Sequence, residues 1–573
     1  MAQTTLEIEE EALGRWPRRL LHVPSLTSYE WKPGNIYGSW TEPPYNAITY
    51  TWGRWRLEEK DQPSVEALAV LNTPWKVPRV EPAAFTPAQI LETLQQATRF
   101  YHQVDNASIP EKEILEPVEF VWLDVACIDQ RSGEARSAAE IGRQALIFKN
   151  ARQVFVWLST IPTPKLSGIL EGLCSLHEVA NRIFLSRASY IPDQTPALAQ
   201  IHSCIETLIT DSWFTSLWTL QEAFLRPDAI LFSREGVPIV NKDYEPYCHS
   251  FLDILGFFDE FFRGKTEERN VPEQYRKTQQ LLRDAGLAVL PRLNALSAYT
   301  ASGSRKATKD VDKFYGIQQI FGFRLGTSSL HADPGASYTE GELEIQFGRQ
   351  LLHQYPVLSQ MHVFTKTSPV GAGWLVSRSS NVPPELSGLI ANEYLGMSHE
   401  EIPLCKLSVR KVEGTHWGHF SGKVCRFEQL HAASVKFEVS TQTWAIIHLD
   451  KTSEIPSVSN FTYRDGETIP QGKKQRELRQ WLVQDFAQRD KLVVLLLGSH
   501  SDIDSDAGIE YHTVAAILLL QCRQKNGFEY YRRIGFCWWD PRSREEASSM
   551  TISAKSTNVL GDIPWKERQG YFG

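Results

Sequence analysis

Two carboxylates stand out for the company they keep. Asp124 follows the apolar run Phe120-Val121-Trp122-Leu123 and opens a polar segment that ends Asp129-Gln130. A buried parallel strand that delivers a carboxylate to its C-terminal edge reads this way, and that edge is where open α/β sheets bind ligands. Glu222 closes the run Trp213 to Glu222. On a helix it shares a face with Thr215, Trp218 and Leu225, away from Leu217 and Leu220. A carboxyl beside a Trp face has a raised pKa and suits general acid–base work. The plainer alternatives are a surface Glu222 paired with Arg226, and an Asp124 that caps the next helix or holds the Cys127 loop. Asp129-Gln130 reads first as a structural turn. Trp52-Gly53 either lines a pocket or lids the core. Cys127 has nothing cationic close in sequence to activate it and reads as a small buried apolar residue.

Other chemistries lack their signatures. The chain has no G-x-S-x-G, H-E-x-x-H, Walker loop or G-x-G-x-x-G, so hydrolase triads, zinc proteases and dinucleotide oxidoreductases have no support. Asp502, Asp504 and Asp506 imitate the start of a calcium loop. Ala507 and Thr513 stand where such a loop needs Gly and Glu, so no metal site is expected.

The elements that must position these residues follow from hydrophobic period. Strands are expected at 47–51, 118–123 and 154–158. Helices are expected at 87–102, at 134–150 with Ser137-x-x-Glu140 as its cap, at 198–208 and at 213–224, the last ended by Pro227. Residues 54–85 read as a surface excursion. Alternating strands and helices imply right-handed crossovers and a parallel sheet. Downstream, 251–262 is an aromatic helix whose stripe is core packing, and 264–285 is charged and exposed. Beyond 400 the texture turns to strands at 435–439, 444–449, 492–497, 513–522 and 528–538. Asn526-Gly527 marks a hairpin between the last two. The expected division is a wrapping segment at 1–44, an α/β domain at 45–235, a mostly helical region at 236–400 and a β-rich antiparallel domain at 401–573.

Composition narrows the partners. The 573 residues are 42% hydrophobic and 22% charged, with a net charge of −8, the profile of a globular protein of several domains. No basic stripe appears, which argues against nucleic acid and against a membrane surface. No apolar run approaches a bilayer span. The acidic start lacks the layout of a signal peptide. Eight Cys without a C-x-x-C form neither a disulfide framework nor a zinc site. The expected location is the cytoplasm.

Four ordered blocks resemble the fungal heterokaryon incompatibility (HET) domain. They are Tyr45, Ala47, Tyr50, Trp52 and Gly53; Trp122, Asp124, Cys127, Ile128, Asp129 and Gln130; Val156, Trp157 and Leu158; and Trp213, Phe214, Trp218, Gln221 and Glu222. A weaker tail match is Asp312-Lys313-Phe314-Tyr315-Gly316. The resemblance covers about 45–235 and implies that Tyr50, Trp52, Gly53, Asp129, Gln130, Trp218 and Gln221 bind a ligand beside Glu222 and Asp124. Asp211, Ser216 and Val311 stand where the family usually has Arg, which removes three anion-binding forks. Glu140 and Phe148 replace an expected Gln and Tyr. HET domains are in turn similar to TIR domains, which implies a flavodoxin-like parallel sheet. Ser216-Leu217-Trp218-Thr219-Leu220-Gln221-Glu222 looks like the catalytic helix of TIR proteins that cleave NAD.

Two readings from different classes stay open. In one, the chain acts in fungal non-self recognition and regulated cell death, with NAD as a candidate substrate, no certain cofactor, and self-association as a candidate trigger. In the other, the same scaffold is repurposed as a cyclase, isomerase or lyase acting on a hydrophobic small molecule of specialised metabolism. A non-catalytic interaction module is the third option.

Overall fold

Eight strands make the first sheet, and the buried ones carry the site. β1 (Arg19–His22), β2 (Thr27–Lys32), β3 (Ile36–Tyr37) and β4 (Trp40–Thr41) run antiparallel on one side. β5 (Tyr45–Thr49), β6 (Phe120–Trp122), β7 (Val154–Trp157) and β8 (Ile230–Phe232) are parallel. β1 joins the two sets by pairing antiparallel with β6. This is a computed structural model, and it describes residues 5–573 except 59, 104–117, 132–134, 175–194, 243, 264–271, 293, 331, 333–335, 384–385, 387–397, 438–444, 452–472, 487–491, 505–508, 526 and 540–562.

Across the sheet the order is β4-β3-β2-β1-β6-β5-β7-β8. The parallel strands, counted along the chain, therefore lie 2-1-3-4, the doubly wound flavodoxin-like order. Every residue of β5 to β8 is buried, as expected of strands covered on both faces. The order reverses between β5 and β7, the position whose carboxyl ends a doubly wound sheet offers to ligands.

The covering helices are α1 (Thr5–Leu13), α2 (Pro87–Ala97), the single turn α3 (Asp124–Cys127), α4 (Ala135–Ile141), α5 (Gln144–Asn150), α6 (Thr163–Cys174), α7 (Thr195–Leu208), α8 (Leu217–Leu225), α9 (Phe251–Arg263) and α10 (Glu273–Asp284). Thr86 and Gln89 cap α2 reciprocally, and Pro87 opens it. The single helix expected at 134–150 is two, broken at Gly142-Arg143. The chain at Ser328 passes so close that a Cβ on Gly142 would meet the Ser328 carbonyl oxygen at 3.2 Å. Ser137 does not cap it; its hydroxyl donates to the Asp129 carbonyl (2.8 Å). Glu140 is 1% exposed and pairs with Arg18 (3.5 Å) and Arg143 (3.6 Å), which ties the N-terminal segment to the sheet. α10 corrects the expectation of an exposed charged stretch, because Tyr275, Thr278, Gln279 and Leu282 are buried.

The chain divides into two units, residues 1–291 with 304–343, and residues 292–303 with 344–573. Among the described residues the second holds the helix Ala295–Ala301, most of the helix Glu340–Gln354, α11 (Phe427–Phe437), α12 (Lys473–Phe486) and ten strands. The first of these strands are β9 (Val363–Phe364), β10 (Ser380–Asn381), β11 (Ser398–Pro403) and β12 (Lys406–Val412), and β14 (Ile446–Leu449) pairs with β17. β13 (Thr415–Arg426), β15 (Leu492–Asp504), β16 (Ile509–Lys525), β17 (Phe528–Trp539) and β18 (Lys566–Phe572) close on one another into a barrel. β17 and β18 are its parallel pair. Pairing runs to Lys525↔Phe528, and Gly527 takes φ 79 there. Its expected partner Asn526 lies outside the described residues. Gly498 takes φ 148 at the bulge in β15, where a Cβ would collide with the Ile402 carbonyl oxygen. Residues 435–437 are the end of α11 instead of a strand; 438–444 lie outside the described residues. Leu430 and Ala433 turn that helix onto the cluster around Leu478, Leu482 and Val494.

Candidate functional site

The carboxyl ends of β5 and β6 and the loop leading to α8 converge. At the end of β5 come Thr49, Tyr50, Thr51 and Trp52. Asp124 follows β6 directly, at the start of α3. The Tyr50 hydroxyl donates to Asp124 Oδ1 (2.9 Å), Trp52 Nε1 donates to Oδ2 (2.5 Å), and the Val125 amide donates to Oδ1 (2.7 Å). Burial raises the Asp124 pKa above its ordinary value, and these three donors offset only part of the rise. Tyr50 is itself raised well above its ordinary value, by burial first and then by the charge of Asp124 and its hydrogen bond, with Glu222 adding to them. Its ring packs on Trp157 (5.8 Å) and Phe85 (5.9 Å).

Glu222 reaches the same place from α8. Trp213 Nε1 donates to Thr49 Oγ1 (2.8 Å), and Thr49 Oγ1 donates to Glu222 Oε2. Glu222 is half-buried, and its pKa is pushed up to about 8. Burial is the main cause, the Thr49 bond works against it, and the charge of Asp124 adds to it. Arg226 does not serve Glu222; it is held by Asp228 (2.7 and 2.8 Å) and by the carbonyls of Phe148 and Ala151. The arrangement is therefore two neighbouring carboxyls. One is gripped by donors on both oxygens, and one is half-protonated near pH 8, which is how a fold separates an acid from a base.

The other expected residues scatter. Trp52 belongs to the pair through Asp124, Gly53 is exposed and begins a 3₁₀ turn, and Trp218 is half-buried on α8. Asp129 faces Arg131 (2.5 to 3.1 Å) in a turn, which holds its carboxyl below the usual range. Gln130 braces the loop by donating to the carbonyls of Ile128 (2.9 Å) and Asp124 (3.3 Å). Gln221 is 0% exposed, donating to Gln144 (3.0 Å) and accepting from the Gln319 amide (2.9 Å), so it knits the core instead of facing the carboxyls. Cys127 is buried, and burial pushes its thiol up to about 12, which removes it as a nucleophile.

The sequence reading gave no site role to Thr49, to Trp213, which it noted as a matched position, or to Asp211, which it noted as a departure. Asp211 is 1% exposed and accepts from the Thr160 amide (3.0 Å), the Thr160 hydroxyl (2.5 Å) and the Trp213 amide (2.9 Å). It caps the Ser212–Phe214 turn and so sets the Trp213 ring. The one local signal was polarity at the end of apolar runs. Among the described residues no group of His, Cys, Asp and Glu could hold a metal ion, and no helix is long and apolar enough to cross a membrane.

Comparison with known proteins gives the relationship. Residues 45–222 match the family model described as heterokaryon incompatibility protein (HET). A curated relative, heterokaryon incompatibility protein 6, OR allele, of Neurospora crassa, is 24% identical over 263 residues, covering 41% of this chain and 35% of that relative. No solved structure matches the chain.

Proposed function

We propose, for a chain that belongs to the HET family through residues 45–222, a role in fungal non-self recognition, exerted by acid–base cleavage of the N-glycosidic bond of a ribosyl nucleotide, with NAD as the candidate substrate. The acting part is assigned to 45–235, with 1–44, 236–400 and 401–573 as its setting. The observation that carries this reading is the Trp213–Thr49–Glu222 relay beside Asp124 at the point where the sheet order reverses. The C–N bond at the anomeric carbon breaks with its electron pair leaving on nicotinamide. Asp124 faces the positive charge left on the ribosyl ring, and protonated Glu222 donates to a ribose hydroxyl oxygen. Water then adds to the anomeric carbon and passes one proton to the Asp124 carboxylate. In glycoside hydrolysis too, one protonated and one ionised carboxyl divide the work.

The test is release of nicotinamide from NAD by the purified chain at high concentration, where self-association is favoured. Glu222→Gln should lower turnover by about 10²–10⁴-fold, and wild-type turnover should fall as the pH rises through about 8, where the acid form is lost. Absence of nicotinamide release sinks the reading. A second reading, a scaffold turned to a hydrophobic metabolite, is favoured by the buried aromatic cluster of Tyr50, Phe85 and Trp157 beside Asp124 and by Asp211, a buried cap where the resemblance leads one to expect Arg. Quenching of tryptophan fluorescence by apolar metabolites that Trp52→Phe abolishes, with NAD inert, would select it.

A further inference from the structure

Arg305 is 8% exposed and has no counter-charge. Its Nη1 reaches two main-chain carbonyls at long range, Trp213 (3.3 Å) and Ser216 (3.5 Å). Its Nε has no partner. Burial is the one influence on its pKa, which drops to about 9, so among the described residues no carboxylate stands close enough to compensate it. A buried cation in that position is unfavourable unless something pairs with it.

What adjoins Arg305 is the start of a helix. Ser216 is the N-cap residue of α8 and makes no side-chain cap. The Leu217 amide is spent on the Lys306 carbonyl (3.1 Å), and the buried Thr219 hydroxyl donates to the same Trp213 and Ser216 carbonyls (2.5 and 3.0 Å), so the Trp218 and Thr219 amides are the donors left at the electropositive end. Arg54, exposed, places Nη1 3.4 Å from the Thr215 hydroxyl. Lys306, also exposed, is pinned to Thr215 by its own amide (2.7 Å). A guanidinium fork, two helix amides and the Arg54 cation match a tetrahedral dianion better than a single carboxylate.

We infer that Arg305 and the first turn of α8 form an anion site, with Arg54 at its edge, and that it takes a phosphoryl group. The inference does not require Glu222 or Asp124 to act. Inorganic phosphate and the phosphate of a nucleotide share the chemistry, so both are used as probes.

Thermal unfolding of the full chain in inorganic phosphate or AMP, against sodium chloride of equal ionic strength, reads the site through linkage. The wild type should melt at a temperature that rises and saturates with phosphate. A larger rise with AMP assigns the phosphoryl group to a nucleotide, and an equal rise assigns it to free phosphate; either supports the site. Arg305→Met should lose the response. Ser216→Asp keeps a good N-cap and supplies an internal anion beside Arg305, so it should melt above the wild type in chloride and ignore phosphate. A wild type indifferent to phosphate overturns the site, and so does Ser216→Asp with an undiminished phosphate response. If Arg305→Met fails to fold, Ser216→Asp decides.

Discussion

At the scale of single residues, the site is governed by what surrounds each carboxyl. Glu222 in the folded chain holds a proton up to about pH 8, whereas an ordinary glutamate loses it near 4.5. The folded state thus binds more protons than the unfolded state between these values. Stability is fully present below 4.5 and is lost as the pH rises through 8. Glu222→Gln should therefore melt above the wild type at pH 9, with the advantage shrinking toward pH 4. A constant difference across that range would show that Glu222 is not buried as described. Asp124 and Glu222 were legible in the sequence, because a polar residue closing an apolar run and a Glu beside a Trp are local patterns. Thr49 was not. Its partners lie 164 and 173 residues away, and a threonine ending a strand is unremarkable by itself.

At the scale of elements, α8 is aimed by the turn before it. Asp211 accepts three bonds and orients Trp213. Asp211→Ala should cost about 1–2 kcal/mol as a lost cap and, through Trp213, should release Glu222 from its relay. Asp211→Asn should keep only part of the stability, because its single amide oxygen can accept from Thr160 or from the Trp213 amide but not from both. Calorimetry of the two variants checks this, and equal losses would remove the capping role. The parallel strands were readable because strands buried on both faces are continuously apolar. α10 was misread because Thr278 and Gln279 interrupt its buried face. The end of α11 was misread because Val435 favours strands locally, while Leu430 and Ala433 commit the segment to a helix by packing.

At the scale of the whole molecule, each unit has its own buried charge. In the second, Arg533 (1% exposed) meets Asp450 (3.2 Å) and His362 (3.0 Å). Asp450→Ala should destabilise this unit by about 3–5 kcal/mol, since it strands a buried guanidinium. Adding Arg533→Met should recover much of that loss. A double variant no better than the single in chemical unfolding would contradict this. The strands of this unit were partly legible from their period and turn glycine. The closing of the barrel was not, because the contact of β13 with β18 depends on residues with no strong alternation.

The relay at Glu222 also dictates on which oxygen its proton sits. An indole N–H can only donate. Thr49 accepts from Trp213 with one lone pair and points its own hydrogen at Oε2. Oε2 is thus committed as an acceptor, and the acidic hydrogen is confined to Oε1. The carboxyl is regiochemically fixed, with one face for anchoring and one for delivery. Trp213→Phe would free the Thr49 hydroxyl to turn round, let the hydrogen migrate to either oxygen, and leave an acid of similar strength that no longer knows which way to give.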